Sequence, residues 1–133
     1  METIIIDKLT LLVKYGLVDR EDGTIFDTRT NLLWQQVSPD DTYTWEEAKE
    51  YCESLTLAGY NDWRLPTIEE LKTLIVMEHK PTICPIFECK EDWYWSSSSH
   101  VVVTYGAWGV HFDDGGVHDG DKDDNGYVRA VRG

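Results

Sequence analysis

The sequence predicts an α+β domain in which two amphipathic helices pack on a small antiparallel sheet, with a loop-rich C-terminal half. Two helix-capping boxes carry that prediction, together with strand-like runs before and after them. In "TWEEAKEYCESL" (44–55) Thr44 stands three residues before Glu47. In this arrangement a hydroxyl and a carboxylate satisfy two orphaned N–H groups at a helix start. Trp45, Ala48, Cys52 and Leu55 then fall on one helical stripe. A second box, Thr67 with Glu70, opens "TIEELKTLIV", where Ile68, Leu71, Leu74 and Ile75 are apolar. Ahead of the helices, "DGTIFDTRTNLLWQ" (22–35) reads as two short strands around a polar turn. Behind them, "AWGVHF" (107–112) alternates, with Trp108, Val110 and Phe112 on a core face and Ala107, Gly109 and His111 facing solvent. "YVRAVR" (127–132) reads as a terminal strand. Strands, then helices, then strands is the order of an α+β fold. Residues 1–18 are open between a strand pair and a short helix, and residues 1–19 are left as an N-terminal segment of unassigned structure.

Composition bounds the function. The formal net charge is −13, which excludes nucleic acid as a partner because phosphate binding needs a cationic surface. No run of about 18 apolar residues is present, so no membrane insertion is expected. Asp7, Lys8 and Lys14 interrupt any signal-peptide core near the N-terminus. Cys52, Cys84 and Cys89 show no metal-ligand spacing. Cys84 and Cys89 either close a small ring or, with Cys52, stay free thiols.

The residues that suggest chemistry have simpler explanations. Glu46, Glu47, Glu69 and Glu70 sit in the first turns of predicted helices, where carboxylates favour the helix dipole and caps. Ser96 to Ser99 lack a nucleophile-elbow pattern. Trp63 and Trp95 suit a core better than a sugar platform. No catalytic residue, cofactor or metal is expected. "DKDDNG" (121–126) opens like a calcium loop, but Arg132 stands where the bidentate glutamate belongs.

The tail has a compositional bias of its own. Residues 100–126 hold six Asp and no Glu, six of the ten Gly and three of the four His, whereas residues 1–95 hold eight Asp and eleven Glu. Turns favour Asp, but not over Glu to that degree. Asp, Gly, His, Tyr, Val, Ser and Asn each have a codon ending in C that differs from AAC only in its first two letters.

"DGTIFDTRTNLLWQ", "TWEEAKEYCESLTLAGYNDWRLPTIEEL", "YWSSS" and the closing "AWGVHF…YVRAVRG" resemble the Legionella collagen-like protein C-terminal domain family. The resemblance implies a C-type-lectin-like fold over about residues 20–133. Within it the tail, about 98–126, resembles the variable region of a diversity-generating retroelement protein, in which adenines of a template are copied carelessly. The positions where such templates carry Asn are His100, Val102, Val103, Tyr105, Gly106, Gly109, His111, Asp113, Asp114, Gly116, His118, Asp119, Gly120, Asp121, Asp123, Asp124, Asn125 and Gly126. Thr104, Ala107, Trp108, Val110, Phe112, Gly115, Val117, Lys122 and Tyr127 match the fixed framework. The resemblance implies a non-enzymatic protein that binds a protein or glycan ligand from a virion or cell surface. Lectin-type calcium and sugar motifs are missing, as are the paired cysteines of formylglycine-generating enzymes, which share a related fold. The rival expectation is a constitutive adhesion or calcium-dependent module with a fixed tail.

Overall fold

The computed structural model describes residues 6–133. The chain opens with α1 (Lys8–Tyr15), capped by the Asp7 carboxylate, which accepts from the Thr10 N–H at 2.8 Å. Gly16 ends the helix at φ 69°, a conformation open to glycine without strain. Leu11 and Tyr15, one turn apart, are buried with Leu17 in the main core. The open choice over residues 6–18 thus falls to a helix followed by strand β1 (Leu17–Asp19). The part of that choice resting on residues 1–5 lies outside the described residues.

β1 pairs with β2 (Thr24–Asp27), β2 with β3 (Leu32–Gln35), and β3 with β7 (Val131–Arg132), all antiparallel. The predicted strand pair over 22–35 is therefore present as β2 and β3. A second antiparallel sheet runs β4 (Trp93–Ser99), β5 (Gly106–His111), β6 (Gly116–Asp121). The fold is mixed α+β, with two sheets where the sequence suggested one.

Both predicted capping boxes are formed. In α2 (Trp45–Ser54) the Glu47 carboxylate accepts from the Thr44 N–H at 2.9 Å, and Trp45, Ala48 and Cys52 are buried. α3 (Ile68–Lys72) is capped in the same way by Thr67 and Glu70. It is five residues long, shorter than "TIEELKTLIV" suggests. The Thr73 hydroxyl donates to the Glu70 carbonyl at 2.6 Å, and the chain tightens into a turn with Leu74 N–H on Leu71. Leu74 is buried beyond the helix.

The predicted terminal strand over 127–132 is also shorter, because this segment crosses between the sheets. Tyr127 bonds to β4 through the Trp93 carbonyl and the Trp95 N–H, while Val131 pairs with β3. Between them Arg129 is fully buried. Its guanidinium donates to the carbonyls of Gln35, Gln36 and Glu88, each at 2.7 Å, and lies 5.0 Å from the Phe87 ring centroid. One side chain thus serves three backbone acceptors, of which the Gln36 carbonyl also accepts from the Glu88 N–H. All three cysteines are free thiols, and burial pushes the Cys52 thiol up to about 12. No helix among the described residues is long and apolar enough to cross a membrane.

Candidate functional site

The second sheet is built on aromatic residues of β4. Tyr94 is fully buried and meets Phe112 edge-on at 5.3 Å. Trp95 is fully buried, and its indole N–H donates to the Tyr43 carbonyl at 2.8 Å. Along the serine run the β4–β5 register shifts between Trp95 and Ser99. The Ser96 hydroxyl donates to the Trp108 carbonyl at 2.6 Å, and Ser98 Oγ accepts from the Ile68 N–H at 2.9 Å. These hydroxyls splice β4 to β5 and to the start of α3.

The face assignment in β5 needs correcting. Val110 and Phe112 are fully buried as expected. Trp108, expected in the core, is half-buried and stacks on His100, 5.0 Å between centroids. Ala107 and Gly109, expected to face solvent, are buried. The reason is cross-strand pairing: Trp95 lies opposite Gly109 and Trp93 opposite His111, so the two indoles cover that face. Only its His111 end opens.

There an open cleft of about 310 Å³ is lined by Trp93, Trp95, His111, His118, Asp119, Gly120, Asp124 and Asn125. β5 and β6 share a regular ladder that sets His118 beside Gly109 and Gly116 beside His111. Period-two alternation then places Gly109, His111, Gly116, His118 and Gly120 on one face. Trp93 is its floor, and three glycines bed the ring. A Cβ at Gly109 or Gly126 would come within 2.5 Å of the Trp93 indole, and one at Gly120 within 3.3 Å. At Gly109 it would also collide with the Tyr94 carbonyl. None of these three has a positive φ, whereas Gly115 does, at 76°. Gly115 therefore makes the β5–β6 turn.

Every residue of the template-Asn set that has a side chain is exposed or half-buried, and its buried members, Gly106, Gly109 and Gly126, are glycines. Val102 and Tyr105 stand out at the tip of the β4–β5 loop, exposed by 80% and 67%. The His100 ring closes that loop by accepting at Nδ1 from the N–H groups of Val102 and Val103. In the "DKDDNG" segment Asp121 accepts from the Asp123 N–H at 2.9 Å, an Asx turn, and Gly126 exchanges backbone bonds with Tyr43. Lys122 reaches back to Ser99 Oγ at 2.8 Å and the Thr104 carbonyl at 2.7 Å, over the Trp45 ring.

Among the described residues the donor atoms close enough to share an ion belong to His111, Asp113 and Asp114, away from "DKDDNG". His111 Nδ1 and Asp113 Oδ1 are 2.7 Å apart, though out of line for a hydrogen bond. The Gly116 N–H holds the Asp114 carboxyl below the usual aspartate range. The helix-cap acids are engaged structurally: Glu46 pairs with Lys49 and Glu69 with Lys72.

Trp93 is the site residue that sequence reasoning missed. It stands immediately before "YWSSS" (94–98), and nothing local says that glycines 16 to 33 residues away will lie beneath it.

A model of the Lcl C-terminal domain matches residues 23–132. The chain belongs to the Lcl C-terminal domain family. No curated protein matches the chain. The Lcl C-terminal domain thus spans β2 to β7, and both the Arg129 anchor and the Trp93 cleft fall inside it. α1 and β1 precede the matched stretch but share its core through Leu11, Tyr15 and Leu17.

Proposed function

We propose that this Lcl C-terminal domain is a non-enzymatic binding domain of C-type-lectin-like fold that presents residues 100–126 as an adaptable recognition surface, diversified by a retroelement. One observation carries the reading. The side chains at template-Asn positions are exposed or half-buried, while the buried non-glycine residues of the tail, Ala107, Val110 and Phe112, all belong to the proposed framework set. Apart from the glycines at 106, 109 and 126, randomised codons therefore fall where substitution leaves the core alone. A partner protein docked here would cover roughly 800 Å², with Tyr105 and His111 as anchors because aromatic groups dominate hot spots. Display on a virion or cell surface suits such a role.

The fixed-tail alternative has one observation in its favour: Gly109 and Gly126 leave no room for a Cβ beside Trp93. Sequencing the flanking DNA separates the two. A near-duplicate of the tail's coding sequence with AAC at the eighteen positions, next to a reverse transcriptase gene, supports diversification. A locus with neither would overturn it.

A further inference from the structure

We propose that the Trp93 cleft takes a cationic side chain, the guanidinium of an arginine presented by a basic segment of a protein partner. This rests on the recognition-surface reading and narrows its ligand to one chemistry. Charge comes first. Residues 100–126 hold six Asp and a single Lys or Arg, Lys122. That one ammonium is turned away onto Ser99, Thr104 and the Trp45 ring. Asp124 is exposed on the cleft wall, whereas the Asp119 carboxylate lies on the other face of β6, toward Gly106. Beside its His111 end lie Asp113, at 2.7 Å, and Asp92, at 3.7 Å. Such a concave acidic surface concentrates cations.

The floor supplies the second half of the recognition. An indole attracts a cation through its ring quadrupole, and tryptophan does so best among the aromatics. A planar guanidinium can stack on that ring and still offer edge N–H groups to carboxylates, which an ammonium cannot do with the same geometry. The cleft's volume of about 310 Å³ is at the small end of ligand pockets, suited to one inserted side chain. Trp93 lies outside the 100–126 segment, so variation there would alter the rim and its charge while the aromatic floor stays.

The test uses the intact chain, labelled with ¹⁵N, and three peptides in one Gly/Ser background with arginine, citrulline or glutamate at the centre. The arginine peptide should shift the Trp93 indole N–H signal, and the neutral isostere citrulline should not. Raising salt to half-molar should weaken the effect, because exposed charges are screened. Asp92→Asn combined with Asp124→Asn changes two exposed residues, and the new amide oxygen at 92 can still accept from the Trp93 N–H. It should weaken arginine-peptide binding roughly five- to tenfold, the order expected for two exposed ion pairs. Equal shifts from citrulline, no shift at millimolar arginine peptide, or unchanged binding by the double variant would each overturn the proposal. A neutral oligosaccharide that shifts the Trp93 signal where arginine does not would overturn it too, while leaving the recognition surface standing. Dodecapeptides selected from a random library that bind without moving any signal of residues 100–126 would overturn the recognition surface itself.

Discussion

β3 and β6 are both hydrogen-bonded strands, yet they are built on opposite terms. All four residues of β3, Leu32 to Gln35, are buried, and its carbonyls are taken up by β2, β7 and the Arg129 guanidinium. β6 has no buried residue and pairs on one side only, with β5. β3 is specified by its side chains; β6 is held by its backbone ladder and by the turn at Gly115. A strand of the second kind can change its outward residues without changing its place, provided its edge stays polar. His118, Asp119 and Asp121 keep it so.

The sharpest test of the contrast is on the β3 side. Arg129→Met should destabilise by about 2–4 kcal/mol in urea denaturation, because it leaves the Gln35 carbonyl without its donor and strips a charged donor from the Gln36 and Glu88 carbonyls in an interior site. A near-neutral result would mean that those carbonyls find water, and β3 would lose its claim to be the rigid member.

Gly109 is where the contrast is most open to being broken from within, since it sits in the second sheet but meets the Trp93 ring and the Tyr94 carbonyl. Gly109→Val should cost about 1–3 kcal/mol by overpacking, and Gly120→Ser distinctly less. Equal melting temperatures for the two would show that Trp93 swings aside freely.

A smaller effect tests the helical side by pH. The Arg64 guanidinium, bidentate at 2.7 and 2.8 Å and joined by the Thr67 N–H, holds the Glu70 carboxyl below the usual glutamate range against the pull of burial. A lowered folded-state value means that this stabilisation is present above the ordinary glutamate range and fades as pH falls through the folded value. Glu70→Gln keeps the cap but loses the ion pair. It should cost about 0.5–1 kcal/mol at pH 7, with the gap to the parent closing in acid. A gap that widens in acid would reverse the assignment.

The smallest expected change is at β6. Replacing Val117, His118, Asp119 and Asp121 by Thr, Ser, Asn and Asn should each shift stability within about ±0.5 kcal/mol. Cooperative melting near the parent temperature is the expected result. Collapse of the quadruple variant would place β6 with β3.

What was legible in the sequence was local. Thr44 with Glu47 and Thr67 with Glu70 announce helix starts because the atoms that bond lie three residues apart. "TIFD" and "LLWQ" announce a hairpin for the same reason. α1 was hidden because Leu9, Leu12 and Val13 are apolar yet exposed, which blurs the helical period. Arg129 looks like any surface arginine, since its reason to be buried is supplied by Gln35, Gln36 and Glu88 from elsewhere in the chain. The two faces of β5 were misassigned at Trp108 and Gly109 because alternation says which residues share a side, not which side the β4 indoles will cover.

The bed beneath Trp93 makes positions 109, 120 and 126 interdependent. One ring occupies the space that three separate side chains would otherwise claim. The first Cβ to enter at Gly109 or Gly126 must displace the indole, and once the ring has moved the other two positions are relieved of its contact. Changes at these sites should therefore combine non-additively, with the first substitution costing most and the next costing less. A diversified tail would then hold two populations of cleft, indole-in and indole-out, rather than a continuous range of shapes.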